Sequence, residues 1–139
     1  MQPDNKDSED LIRKIAKIVR ILNGRDSTGQ VIHPGLRMLR YLSVVFLANS
    51  IQMSRLGYGK EIDGSIYFTL YGLGQVADHF REIGPYHIAI QYDRTRVANR
   101  IYTILSDNGL VARRKIDGAT YVSITEKGVD FLDKALQEL

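Results

Sequence analysis

"LSDNGLVARRKIDGATYVSITEKG", Leu105 to Gly128, is the stretch on which the reading of this chain turns. A helical run ends at Gly109, and glycine is the residue best suited to a left-handed stop at the C′ position. Leu110 returns the chain toward a core. Val111–Ile116 and Ala119–Ile124 then flank Asp117-Gly118, the spacing and composition of a type I′ hairpin. Arg113, Arg114 and Lys115 stand together on the first arm, whereas the second arm is uncharged. Because strand side chains alternate, Arg113 and Lys115 share one face and Arg114 takes the other. Thr125 is placed to cap a last helix, with Val129, Leu132, Leu136 and Leu139 as its apolar stripe.

Upstream, Asp93 caps a helix running from Arg94 to about Asn108. At about 100° per residue, Val97, Ala98, Ile101, Ile104 and Leu105 gather on one arc, which is expected to be buried. The opposite arc holds Arg96, Asn99, Thr103 and Ser106, with Thr95 and Arg100 at its edges. These side chains suit duplex DNA. Arginine can bridge guanine O6 and N7, asparagine can bridge adenine N6 and N7, and threonine can meet a thymine methyl. The expectation is that Arg96, Asn99 and Thr103 contact bases, and that Arg94, Thr95, Arg100, Arg113, Arg114 and Lys115 contact phosphates. A solvated polar face beside a solvated cationic hairpin is the alternative. The pairing of the two features favours DNA.

Charge distribution points the same way. The chain has 139 residues and a formal net charge of +3. Between Arg94 and Lys115 six cations face one anion, so this segment carries +5 and the remainder −2. Such a cluster commonly marks a nucleic-acid partner. The length suits one domain with a real core, and 44% apolar residues are ordinary for a globular chain.

The other elements are read from periodicity. Residues 1–7 form a disordered tail, and 8–139 a single domain. Ser8 caps a helix to Asn23, whose stripe is Leu11, Ile15, Ile18 and Leu22. A second helix runs from Pro34 to about Leu56. Its centre, Tyr41–Ala48, is apolar nearly all round, so it should be the most buried element. "GYGKEIDGS" reads as a loop, and Ser65–Tyr71 as a short strand, with a helix as the rival. "LGQVADHFREIG" reads as a short helix, and "PYHIAIQY" as an extended connection or a strand.

"RTRVANRIYTILSDNGLVARRKIDGATYVSITEKGVDFLDKAL" resembles the recognition helix, wing and following helix of winged helix-turn-helix regulators, the MarR group with its PadR and ArsR relatives. The resemblance rests on Leu105, Gly109, Leu110 and Val111, the Arg113-Arg114 pair, the Asp117-Gly118 turn and "ITEKG". It covers about a third of the chain, Thr95 to Leu136. "GQVADHFREIG" resembles the first helix of the motif. Two features depart from the pattern. Ala119 stands where MarR-type wings carry an arginine, and the connection from Gly84 to Tyr92 is longer than a tight turn.

The resemblance implies a mostly α fold with a small β-wing (α+β) and a homodimeric, sequence-specific regulator of transcription acting on double-stranded DNA. The stripes Leu11/Ile15/Ile18/Leu22 and Val129/Leu132/Leu136/Leu139 are more apolar than short end helices need, so helices 8–23 and 126–139 are expected to dimerise, the alternative being that each packs on its own domain. Two recognition helices would then meet a pseudo-palindromic site at major grooves roughly 34 Å apart. The alternatives are a winged-helix protein-interaction module and a nonspecific architectural module, in a replication, partition or chromatin complex.

Other classes find little support. The chain has no cysteine, which excludes disulfides and thiolate metal sites. His33, His79 and His87 lack metal-ligand spacing, and "GYGKEIDG" lacks the phosphate-loop pattern. No nucleophile–base or paired-carboxylate arrangement suggests an enzyme, and no cofactor is expected. The polar, acidic start "MQPDNKDSED" is unlike a signal peptide, and Arg40 and Arg55 bracket too short a run for a membrane span. A cytoplasmic, nucleoid-associated location is the expectation. No pattern identifies an effector.

Overall fold

The computed structural model describes residues 5–23, 36–50, 57–82, 88–92 and 96–139. The fold is α+β and mostly helical. The described elements run α1 (Asn5–Leu22), α2 (Arg37–Ser50), β1 (Gly59–Ile62), β2 (Ser65–Thr69), α3 (Leu70–Glu82), α4 (Arg96–Asp107), β3 (Val111–Ile116), β4 (Ala119–Ile124) and α5 (Glu126–Gln137). The strands form one antiparallel sheet in the order β1-β2-β4-β3.

α2 is the centre of the molecule. Every residue from Tyr41 to Asn49 is buried, and the helix packs on the other four helices and on β2 and β4. This is what an all-round apolar sequence requires. α1 and α5 lie together against it, joined at their surface by a Lys14–Asp133 ion pair of 2.8 Å.

The two end stripes are consumed by this packing. Leu11, Ile15, Leu22, Leu132 and Leu136 belong to the core of a single chain, with Ile18 and Val129 packed against it, while Leu139 is 42% exposed. The expectation that these stripes need a partner to bury them is therefore corrected: α2 supplies the apolar surface for both helices. The first helix also starts earlier than expected. α1 takes in residues 5–7, assigned above to a tail, and Ser8 lies inside it rather than ahead of it.

Two further differences concern the sheet. "GYGKEIDGS", read as a loop, contains β1, and Asp63-Gly64 turns it into β2. Asp63 and Gly64 have φ of 52° and 83°, and Asp117 and Gly118 have 50° and 83°, so the described residues hold two hairpins of one type. Ser65–Thr69 is the expected strand, but Leu70 and Tyr71 already belong to α3.

β2 and β4 pair through Phe68↔Val122 and Thr69↔Tyr121. At the next position Asn49 of α2 intervenes. Its amide nitrogen donates to the Ile66 carbonyl at 2.8 Å, and its oxygen accepts from the Ile124 N–H at 3.0 Å. A third contact, from the same amide nitrogen to Ser123 Oγ at 3.3 Å, completes a buried polar stitch between helix and sheet. Ile88–Tyr92 belongs to no helix or strand, and Ile88 and Ile90 are buried. Asn23 brackets it, donating to Ala89 O at 2.8 Å and accepting from Gln91 N at 2.9 Å.

Candidate nucleic-acid interface

The junction between α4 and the β3–β4 hairpin is fixed by backbone chemistry. Gly109 has φ of 73°. Its N–H donates to Ser106 O at 3.0 Å, and the Leu110 N–H donates to Leu105 O at 2.9 Å, the Schellman pattern. Leu110 is buried beside Leu105. The far end of the hairpin returns to the same point, where Thr125 N donates to Leu110 O at 3.2 Å and Thr125 Oγ1 donates to Gly109 O at 2.6 Å. The same hydroxyl accepts from Gly128 N at 3.0 Å and so caps α5.

Strand register decides where the cations point. Ile66, Phe68, Val122, Ile124 and Val111 share the sheet face turned to the core. Arg113, opposite Val122, and Lys115, opposite Thr120, continue that face beyond the core. They therefore project toward α4, where an Arg113 guanidinium nitrogen donates to Thr103 Oγ1. The Thr103 hydroxyl donates in turn to Asn99 O at 2.8 Å. Thr103, expected to reach bases, thus commits its hydroxyl to a strut between helix and hairpin.

The result is a polar cleft of ≈ 330 Å³ lined by Asn99, Arg113, Arg114, Lys115 and Thr120. Arg96, Asn99 and Arg100 are exposed on α4, as are the three hairpin cations. Of the residues named from sequence, Asn99 and the three hairpin cations thus meet at this cleft, Arg113 and Lys115 from the sheet face turned to α4 and Arg114 from the alternate position on the strand between them. Arg94 and Thr95 lie outside the described residues.

Arg114 also forms an ion pair with Asp63, at the tip of the β1–β2 turn. Both partners are largely in solvent, and such exposed pairs contribute about 0–1 kcal/mol. On the same face the Lys60 ammonium sits 5.9 Å from the centre of the Tyr121 ring. The contribution of β1–β2 to this edge was missed in the sequence, although its Asp-Gly dipeptide repeats the signal that revealed the other hairpin.

One residue of α4 departs from its expected place. Ile104, assigned to the buried arc, is 38% exposed, whereas Tyr102 is fully buried. The Tyr102 hydroxyl donates to Tyr41 O at 2.7 Å, and its ring meets that of Tyr41 edge-on at 5.8 Å. Burial, followed by the neighbouring Tyr92, pushes the Tyr102 phenol well above its ordinary value. His79 packs edge-on against Tyr58 and Phe80, while His33 and His87 lie outside the described residues. Among the described residues, no helix is long and apolar enough to cross a membrane.

No family model matches the chain. Comparison with curated proteins and with solved structures likewise finds no match.

Proposed function

We propose that this chain is a sequence-specific double-stranded DNA-binding protein of the winged-helix type, acting in the regulation of transcription. The observation that carries the reading is the shared cleft. Asn99 of the helix and Arg113, Arg114 and Lys115 of the hairpin line a single concavity, so one bound backbone can meet both elements. The element order supports the winged-helix architecture. α2, β2, α3, α4, β3 and β4 give helix, strand, helix, helix and hairpin, with the strands adjacent as β2-β4-β3 and β1 added at the edge.

Dimensions agree with the proposed docking. The 12 residues of α4 span about 18 Å, and a major groove about 12 Å wide admits such a helix. Each six-residue strand of the hairpin spans about 20 Å, enough to reach the neighbouring backbone. In this arrangement Arg96 and Asn99 read base edges. Arg100, Arg113, Arg114 and Lys115 neutralise phosphates. Thr103 holds the two elements at a set separation.

Selection of bound duplexes from a random pool at physiological ionic strength tests the reading, and an enriched motif is expected. Arg96→Ala should then cost about 1–3 kcal/mol on the enriched site and flatten its base preference. Arg113→Ala should weaken all duplexes alike. Affinity should fall with salt at a log–log slope of roughly −0.9 per phosphate contacted. Equal losses on enriched and random duplexes for Arg96→Ala would refute base reading, and affinity indifferent to salt would refute DNA binding.

A further inference from the structure

Among the described residues, Arg40 Nε is the only buried side-chain nitrogen or oxygen without a hydrogen-bond partner. The side chain is half-buried, and its guanidinium makes one long contact, from Nη1 to Gln91 Oε1 at 3.4 Å. Arg37 stands three residues earlier on the same helix and is exposed. Residues three apart on a helix are surface neighbours, so the two cations share one face at the start of α2. Neither belongs to an ion pair among the described residues, and the first turn of α2 holds no acidic residue. Burial lowers the Arg40 pKa below its ordinary value, while Tyr41 opposes the shift and Arg37 adds to it.

A partly buried cation without a counter-charge is costly, and a second cation beside it raises the cost. A carboxylate would relieve Arg40, but the fold brings it a neutral amide and a like charge. That leaves the counter-charge to a bound anion. We propose that Arg37 and Arg40 form a binding site for a phosphate group. Two guanidinium groups present more donors than the two oxygens of a carboxylate use, whereas a phosphate group brings up to three oxygens and up to two negative charges. Because Arg40 Nε is shielded, the terminal nitrogens of that guanidinium are the ones that meet the ligand.

The rim of the site is built in advance. The Gln91 N–H donates to Asn23 Oδ1 at 2.9 Å, and Asn23 Nδ2 donates to Ala89 O at 2.8 Å. Asn23, just past the end of α1, thus pins the backbone that carries Gln91. With Oε1 turned to Arg40, the amide nitrogen of Gln91 remains as a further donor. Two sources carry this chemistry, a phosphate of a nucleic-acid backbone and a small phosphate ester. Gln91 lies five residues before Arg96, the start of α4, and so no more than about 18 Å from it. A duplex held on α4 is counted among the sources for that reason. The site stands or falls separately from the DNA reading.

Titration of the full, isotope-labelled chain with inorganic phosphate, at constant ionic strength and pH, tests the site through the arginine Nε–H resonances. Those of Arg37 and Arg40 should shift together and saturate with one dissociation constant, while Arg113 and Arg114 report on the other cleft separately. Arg37→Gln should raise that constant about tenfold at Arg40. Arg40→Lys keeps the charge but not the planar fork, and should weaken binding by a similar factor. A short duplex then distinguishes the sources. If the group belongs to a nucleic-acid backbone, the duplex moves the same two resonances, and Arg37→Gln lowers the log–log salt slope of duplex binding by about 0.9. If it belongs to a small ester, the duplex leaves both resonances in place. Resonances that ignore phosphate, that drift without saturating, or an Arg37 response unchanged in Arg40→Gln would overturn the proposal.

Discussion

Replacing Asn49 with alanine removes the stitch between α2 and the sheet, and the structure sets the size of the effect. Two backbone groups, the Ile66 carbonyl and the Ile124 N–H, lose their asparagine partner in a buried setting. An orphaned buried group costs roughly 1–3 kcal/mol, so the expected loss is about 4 kcal/mol, against a total stability of roughly 5–15 kcal/mol for a domain. Urea denaturation followed by circular dichroism should show a lower midpoint with an unchanged slope. Asn49→Asp separates hydrogen bonding from shape. A carboxylate still accepts from Ile124 N but turns a second acceptor toward the Ile66 carbonyl. Burial would raise the pKa of that carboxyl above its unfolded value. The stabilising protonated form is therefore held at low pH and lost as pH rises through the folded pKa, so this variant should recover part of its deficit on acidification. A loss below about 1 kcal/mol for Asn49→Ala, or an Asn49→Asp deficit indifferent to pH, would refute the reasoning.

Three other outcomes follow from particular contacts. Asp63→Asn frees Arg114 from its ion pair and should tighten binding to duplex DNA by up to about fivefold, measured by fluorescence anisotropy, with no gain in an Arg114→Ala background. Gly128→Ala places a Cβ 2.0 Å from the Leu110 carbonyl oxygen and should destabilise the fold by about 3 kcal/mol in the same urea assay. Tyr102→Phe deletes the hydrogen bond to Tyr41 O and should cost about 1–2 kcal/mol at neutral pH. The native Tyr102 phenol is raised above 10.0, so its contribution is whole below that pH and is lost as pH rises through the folded pKa. The variant should accordingly be less sensitive to alkaline unfolding, with a smaller difference from wild type above pH 10.

Local chemistry explains what could be read in the sequence. Gly109, Asp117-Gly118 and Thr125 each act through their own backbone, so a stop, a turn and a cap are visible without knowledge of the rest of the fold. The polar face of α4 and the alternation of Arg113, Arg114 and Lys115 are equally local. What escaped depends on distant partners. Leu11, Ile15, Leu132 and Leu136 looked like surface in need of cover because nothing in their own helices reveals that α2 lies between the two ends of the chain. Ile104 escaped for a related reason. Helical periodicity gives an arc of apolar residues, but not where on that arc the core ends. Asn49 gave no signal at all, since its backbone partners, the Ile66 carbonyl and the Ile124 N–H, lie 17 and 75 residues away in sequence. β1 is different. Its Asp63-Gly64 turn was legible, but only one flanking strand was apolar enough to be noticed.

The closure at Thr125 has a mechanical consequence. The same residue holds both the entrance of the β3–β4 hairpin, through Gly109 and Leu110, and the first turn of α5, through Gly128. The hairpin therefore has no hinge of its own at its root. To swing, it must carry the start of the last helix with it, so displacement at the cationic tip and rotation at the far side of the molecule amount to one lever pivoting on a single threonine.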